Sequence, residues 1–157
     1  MESSRENPRK ALAQAALIAG AYAVITWALA PISFGPIQFR VSEILKPFAL
    51  RKKYFVPALA VGLLLANMFS PNSSIWELAY MPVMCLIGGA IAWWLRNVKV
   101  VSLLFFSLWI SGAVGFMLSV NLKLPFMALF PGIAVSEVIL FFVGDKVVDV
   151  IMKKTGN

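Results

Sequence analysis

Residues 30–43 read A-P-I-S-F-G-P-I-Q-F-R-V-S-E. The stretch follows a long uncharged run, interrupts it with two prolines and a glycine, and then places Arg40 and Glu43 beside further apolar sequence. Proline lacks a backbone donor and resists the interior of a helix. Irregular backbone at membrane depth is tolerated only where protein buries it or where it lines a cavity. We therefore expect a polar site at this stretch, enclosed by apolar helices.

The composition identifies lipid as the solvent of those helices. Of the 157 residues, 61% are hydrophobic and only 13% are charged, whereas a soluble domain is about half apolar and about a quarter charged. The chain has no histidine, and its single cysteine, Cys85, lies in an apolar run where core packing is expected. No nucleotide-binding glycine loop and no metal-ligand spacing occur. We therefore predict no catalytic residue, no metal site and no cofactor of its own.

Apolar runs separated by polar turns predict six membrane helices. The first uncharged run has about 20 residues, which is enough to cross a bilayer and longer than the apolar core of a signal peptide. Prolines, glycines and charged clusters separate the later runs. The predicted helices cover residues 11–30, 37–50, 54–70, 76–95, 100–120 and 126–150. The fold class is therefore all-α, an integral membrane six-helix bundle in a single domain.

Basic residues collect in alternate turns of the predicted bundle. One side has the clusters Arg5, Arg9 and Lys10; Arg51, Lys52 and Lys53; Arg96 and Lys99; and Lys153 and Lys154. The opposite side has only Arg40 and Lys123. The positive-inside rule then places both termini in the cytoplasm, as in a multi-pass protein of the prokaryotic cell membrane. The net charge of +7 thus reflects the lipid bilayer and topology, and the basic residues form no stripe suited to nucleic acid.

Five polar side chains are candidates for the binding site, because ionisable residues inside membrane spans are costly and usually mark function. They are Arg40, Glu43, Asn67, Glu77 and Glu137. Their positions along the helices place them in the outer half of the bundle, which suits an outward-facing pocket with the broken stretch as a lid. Structural alternatives stay open. Arg40 and Glu43, three residues apart, can pair with each other. Asn67 and Glu77 can cap helix ends, whereas Glu137 has no basic residue in its own span.

Aromatic side chains near helix ends are further candidates. Phe34, Trp76 and Tyr80 can stack on a flat ligand. Trp and Tyr at helix ends also form the ordinary interfacial belt of membrane proteins, so the same residues have a structural explanation.

A row of alanines runs along the first predicted helix. Four-residue spacing places on one face the residues Ala11, Ala15, Ala19 and Ala23. Small side chains let another helix approach closely, which matters because lipid supplies no hydrophobic drive for helix association. The row is therefore either a docking face for a partner protein or a packing face within the bundle.

Residues 30–43 closely resemble the signature of the QueT family, and residues 65–71 (L-A-N-M-F-S-P) and 124–126 (L-P-F) extend the resemblance. Members of that family are substrate-binding (S) components of energy-coupling factor (ECF) importers for queuosine precursors. The resemblance implies no enzymatic activity and docking on a transmembrane coupling subunit that is bound to two ATPases, which use the ATP. It also favours docking as the role of the alanine row. After Glu43 the chain departs from the family pattern, since I-L-K-P-F-A-L-R-K-K replaces a more apolar continuation.

The resemblance further implies a 7-deazaguanine ligand, such as 7-cyano-7-deazaguanine or queuine. A carboxylate can accept two hydrogen bonds from a guanine-like edge, and this role is open to Glu43 and Glu137. Asn67 or Arg40 can donate to the ring carbonyl. Ser111, where many members are expected to have asparagine, joins the candidates. The alternatives are an S component for another heterocycle or vitamin, a small structural membrane protein, and an ion-coupled carrier, for which no inverted repeat is visible.

Overall fold

The computed structural model describes residues 7–34, 39–70 and 73–155, and all regular secondary structure within them is helical. The elements are α1 (Pro8–Ala28), α2 (Ala30–Ser33), a 3₁₀ helix (Val41–Leu50), α3 (Phe55–Asn67), a π-helix (Trp76–Tyr80) that continues into α4 (Met81–Trp94), α5 (Lys99–Leu122) and α6 (Phe126–Lys154). The all-α class is therefore confirmed. Some predicted features lie outside the described residues: Arg5, residues 35–38 of the broken stretch, and the turn at Pro71 and Asn72.

Four helices of the described chain are long and apolar enough to cross a membrane. They are α1, the unit Trp76–Trp94, α5 and α6, with 21, 19, 24 and 29 residues. The 3₁₀ helix has 10 residues and α3 has 13. Each is about 20 Å long, which is shorter than the roughly 30 Å of a bilayer core. Helices long and apolar enough to cross a membrane thus lie at four of the six predicted positions, and a count of six spans stays a prediction.

The second predicted helix differs in type and in its start. A helix was expected at residues 37–50, and the structure has a 3₁₀ helix that begins at Val41 and contains Pro47. In this geometry each N–H bonds three residues back, as the Glu43 amide does to the Arg40 carbonyl at 2.9 Å. Pro47 disfavours α-helical winding because its ring would clash with the carbonyl four residues before it. The expected break at residues 31–39 also begins with a helical turn, α2.

The first helix begins earlier than predicted. α1 starts at Pro8 instead of residue 11, and the side chain of Asn7 accepts a hydrogen bond from the Arg9 amide at 3.0 Å. An asparagine cap followed by proline in the first turn is a strong start signal for a helix. Arg9 and Lys10 therefore lie on the helix itself.

The described chain begins and ends at the same end of the bundle. A small cavity of about 60 Å³ is lined by Gln14 of α1 and by Met152 and Thr155 at the end of α6. The turn at residues 51–53 lies here too, because the Tyr54 hydroxyl donates to the Gln14 side chain at 2.5 Å. We call this the basic end, and the opposite end, near Trp76, the far end.

An ionic network joins three elements at the basic end. Arg51, which follows the 3₁₀ helix, pairs with Asp145 and Asp149 of α6 at 2.5 and 2.7 Å. Lys99, the first residue of α5, pairs with the same two carboxylates at 2.8 and 3.1 Å. Two cations therefore face two carboxylates. We call these four residues the basic-end network.

The 3₁₀ helix and α6 run in the same direction and touch through their backbones. A Cβ added to Gly144 of α6 would overlap the carbonyl oxygen of Ile44. Because Arg51 reaches Asp145 and Asp149 further along both elements, their directions agree. The absent side chain at Gly144 thus sets how closely the 3₁₀ helix approaches α6.

We predict that Gly144→Ala lowers the stability of the protein by about 1–3 kcal/mol, because the added methyl would force two backbones apart. Thermal unfolding of the detergent-purified protein measures the effect. The matched control is Gly132→Ala on the same helix, where a Cβ meets nothing within 4 Å. That control should lose no stability, since alanine is the better helix former. Equal melting temperatures of the two variants would contradict the close contact.

Candidate functional site

Six polar side chains from four parts of the chain are buried together inside the bundle, and each is at most 2% exposed. Three belong to the 3₁₀ helix or precede it, and the others come from α3, the π-helix and α6. We call this set the polar cluster; it consists of Arg40, Glu43, Lys46, Asn67, Glu77 and Glu137. In lipid, such groups are tolerated when they face one another or a cavity.

Arg40 connects three elements near the far end. Its guanidinium donates to the side-chain oxygen of Asn67 at 3.0 Å and lies 3.7 Å from a carboxylate oxygen of Glu77. The Asn67 amide nitrogen in turn donates to the Glu77 backbone carbonyl at 2.7 Å. Phe34 lies against the same guanidinium, 5.4 Å from ring centroid to the central carbon. Arg40 thus links the start of the 3₁₀ helix to the end of α3 and to the π-helix.

The pair between Arg40 and Glu43, which the spacing allowed as an alternative, is not formed. Arg40 precedes the 3₁₀ helix and has extended backbone angles, φ −90° and ψ 98°. Three-residue spacing places two residues on one face only when both are in the helix. Arg40 therefore reaches Glu77, and Glu43 pairs with Lys46 at 3.0 Å.

Lys46 is the buried partner of Glu43, and sequence reasoning missed it as a site residue. One carboxylate oxygen of Glu43 accepts a hydrogen bond from the Tyr22 hydroxyl, and the other faces the Lys46 ammonium. The ammonium also lies 5.6 Å from the centroid of the Phe106 ring. The sequence does contain a signal for it, because Lys46 lies three residues after Glu43 within an apolar run. A 3₁₀ helix has 3.0 residues per turn and therefore places two such residues directly above each other.

Glu137 has no comparable partner. Its carboxylate oxygen Oε2 is buried without a hydrogen bond, and in the described part of the chain no basic group lies within 4.0 Å of it. Glu137 lies two turns before Gly144, on the face of α6 that packs against the 3₁₀ helix. That 3₁₀ helix contains Glu43 and Lys46. A lone carboxylate thus faces the rest of the polar cluster.

The predicted aromatic residues divide between two places. Phe34 contacts Arg40 and so borders the polar cluster. Trp76 and Tyr80 instead pack on each other and on Phe116, with ring centroids 5.7 to 6.0 Å apart. This group is partly exposed at the far end, as expected for an interfacial position.

Ser111 is buried on α5, and its hydroxyl donates to the Ser107 carbonyl of its own helix at 2.7 Å. Among the contacts of the described residues, none joins Ser111 to the polar cluster. Its donor is therefore already used, and a ligand role for it stays a prediction.

The alanine row of α1 lies partly in the bundle core and partly along a groove at the surface. Ala19 and Ala23 are buried, and a Cβ added to Gly62 of α3 would lie 2.8 Å from the Ala19 carbonyl oxygen. Ala11 and Ala15, nearer the basic end, line an apolar groove of about 450 Å³ between α1 and α3. Ala23 therefore packs within the bundle, Ala11 and Ala15 border the open groove, and Ala19 does both.

Long apolar helices around a buried polar cluster define a multi-pass membrane protein that holds its polar groups inside. The family model described as "QueT transporter" matches residues 12–153. The chain therefore belongs to the QueT transporter family, which confirms the resemblance seen in the sequence and supports a role in transport.

One relative carries the name "Queuosine precursor transporter QueT" and comes from Lactococcus lactis subsp. cremoris (strain MG1363). It is 40% identical over 57 residues, which is 35% of this chain and 34% of the relative. The match thus spans about a third of the length of that curated relative. No solved structure is significantly similar to the chain.

We predict that Lys46→Met destabilises the protein by about 3–5 kcal/mol, because it leaves the Glu43 carboxylate buried without its cation. The double variant with Glu43→Gln should regain much of that loss, since both charges are then absent. Lys146→Met, on an exposed face of α6, is the control and should behave like the wild type. Thermal unfolding in detergent measures the wild type, the single variants Lys46→Met and Glu43→Gln, the double variant and the control. A double variant whose loss equals the sum of the single losses would argue against the ion pair.

Proposed function

We propose that the chain is the substrate-binding component of an ECF-type importer and captures a queuosine precursor of the 7-deazaguanine class. Family membership supports transport, and the name of the Lactococcus relative supports the substrate class. The observation that carries the proposal is the pairing of Arg40 with Glu77 inside the bundle, where Oε2 of Glu77 is buried without a hydrogen bond. The protein itself catalyses no reaction in this proposal.

The edge of a guanine-like ring presents a carbonyl beside N–H donors. Arg40 and Glu77 offer the complementary pair, a guanidinium donor next to a carboxylate acceptor. Their separation of 3.7 Å is long for a direct ion pair and leaves hydrogen-bonding capacity on the carboxylate. Glu43 suits this role less well, because its two oxygens already face Tyr22 and Lys46. We therefore assign reading of the ring edge to Arg40 and Glu77, with Phe34 as the aromatic neighbour.

The proposed direction of transport is inward. The positive-inside rule favours a cytoplasmic position for the basic end, so the Arg40–Glu77 end faces outward. The coupling subunit would dock from the membrane at the groove beside Ala11 and Ala15, which lies nearer the basic end. Two ATPases on that subunit would supply the energy, and the ligand would leave towards the cytoplasm.

A second candidate is a structural membrane protein whose charges only brace its helices. The ion pairs Arg40–Glu77 and Glu43–Lys46 favour it, because their side chains are buried by the surrounding protein and already neutralise each other without a ligand. An S component for another small heterocycle would use the same polar cluster. Binding measurements separate the three.

We predict that the purified protein binds 7-cyano-7-deazaguanine or 7-aminomethyl-7-deazaguanine, and that Glu77→Gln weakens this binding at least about tenfold. The glutamine cannot accept both N–H donors of the ring edge. Isothermal titration calorimetry measures the affinity, and mass spectrometry of small molecules retained through purification tests the ligand class independently. Asp149→Asn, in the basic-end network, is the control and should bind as the wild type does. A wild-type protein that binds neither compound would support the structural candidate.

We further predict that Ala15→Trp abolishes assembly with the coupling subunit and leaves ligand binding unchanged, because the indole would fill the groove. Pull-down after co-expression with a coupling subunit and two ATPases measures assembly. Ala13→Trp, which is exposed and does not line the groove, is the matched control. Normal assembly of the Ala15 variant would exclude this groove as the docking site.

A further inference from the structure

We infer that the polar cluster selects a deazaguanine that carries a protonated amine over one with a neutral substituent, and that Glu137 is the residue that selects it. The inference rests on the proposed function and makes the substrate class narrower. It begins from the charges that the bundle interior contains.

Buried charges in the polar cluster do not balance. Three glutamates, residues 43, 77 and 137, face the two cations Arg40 and Lys46. Arg40 lies beside Glu77 and Lys46 beside Glu43, so both cations are used. Asp145, the remaining buried carboxylate of the described residues, belongs to the basic-end network and has its own cations. Glu137 is therefore the one carboxylate of the cluster without a cation.

A lone carboxylate away from water is unfavourable, because no nearby group replaces its hydration. Glu137 resembles a buried carboxylate whose ion-pair partner has been removed, an arrangement that is strongly destabilising. A ligand that brings an ammonium group would restore neutrality and donate to the buried Oε2. A ligand that brings a nitrile adds no charge and has no donor to offer.

The position of Glu137 fits the far side of a ligand held by Arg40 and Glu77. Glu137 lies on the face of α6 towards the 3₁₀ helix, which contains Lys46 and follows directly after Arg40. Glu77 on the π-helix and Glu137 on α6 each have a buried oxygen without a hydrogen bond and, among the described residues, no cation within 3.5 Å, so one suits the ring edge and the other a substituent that extends from the ring.

An inorganic cation is a poorer occupant. Hard cations such as Ca²⁺ take six to eight oxygen ligands. The oxygens of Glu43 are already engaged by Tyr22 and Lys46, and two ammonium or guanidinium groups lie in the same cluster. An organic ammonium needs only a few acceptors, and the unpaired Glu137 supplies a charged one.

Two compounds that differ only at the 7-position test the inference. We expect the wild type to bind 7-aminomethyl-7-deazaguanine at least about tenfold more tightly than 7-cyano-7-deazaguanine at pH 7, measured by calorimetry in detergent. The Glu137→Gln variant should bind the two compounds with about equal affinity, because the amide keeps the shape of the side chain and loses its charge. Binding of the cyano compound by this variant shows that it is folded. If Glu137→Gln binds neither compound, the test uses Glu137→Asp instead. This variant keeps the carboxylate and must retain the preference for the amine.

The outcomes separate this inference from the function on which it rests. Equal affinities in the wild type, or a preference for the nitrile, would overturn the inference and leave the deazaguanine assignment standing. Failure of the wild type to bind either compound would overturn both. Titrations in sodium chloride and in choline chloride complete the test. Nitrile binding that requires sodium would assign the Glu137 position to an inorganic cation and also overturn the inference.

Discussion

Charge neutralisation without water is the constraint on which the structure depends. In the bundle interior, a charged side chain is stabilised when a counter-charge lies beside it, and Glu137 is the member of the polar cluster that lacks one. Arg40 and Glu77 join the start of the 3₁₀ helix to the π-helix, and Glu43 pairs with Lys46 within the 3₁₀ helix. The 3₁₀ helix thus contributes to both pairs. Its place in the centre of the fold follows from its charges as much as from its apolar residues.

The short elements are explained by the same constraint. The 3₁₀ helix packs against α1, α4 and α6, so protein encloses its charges and it has no need to match the bilayer thickness. Its three-residue repeat stacks Lys46 above Glu43, which the 3.6-residue repeat of an α-helix would align less directly. The hydroxyls of Tyr22 and Thr26 on α1 bond to Glu43 and Ser42 and complete the polar lining on that side.

Much of this architecture was predictable from the sequence, because composition and run length report directly on lipid exposure. The helical class and five members of the polar cluster followed from isolated charges and amides in apolar runs. The partners of those charges did not follow, since Arg40 lies outside the helix whose spacing was used to pair it with Glu43. Lys46 was missed because it lies close to the basic turn at residues 51–53. The two environments of the alanine row were not predictable either. The four-residue spacing shows that the alanines share one face of α1, but it does not show which parts of that face other helices cover.

The basic-end network has a mechanical consequence. Arg51 pins the end of the 3₁₀ helix to α6, and seven residues earlier the Ile44 backbone rests on Gly144. Because the two helices are joined at two places, neither can slide along the other or rotate away from it without breaking one of these contacts. The 3₁₀ helix, which contains Glu43 and Lys46, and α6, which contains Glu137, are therefore held together as one unit. The elements on the other side of the polar cluster are joined to it differently, because Phe34 after α2 and Glu77 of the π-helix both contact the side chain of Arg40.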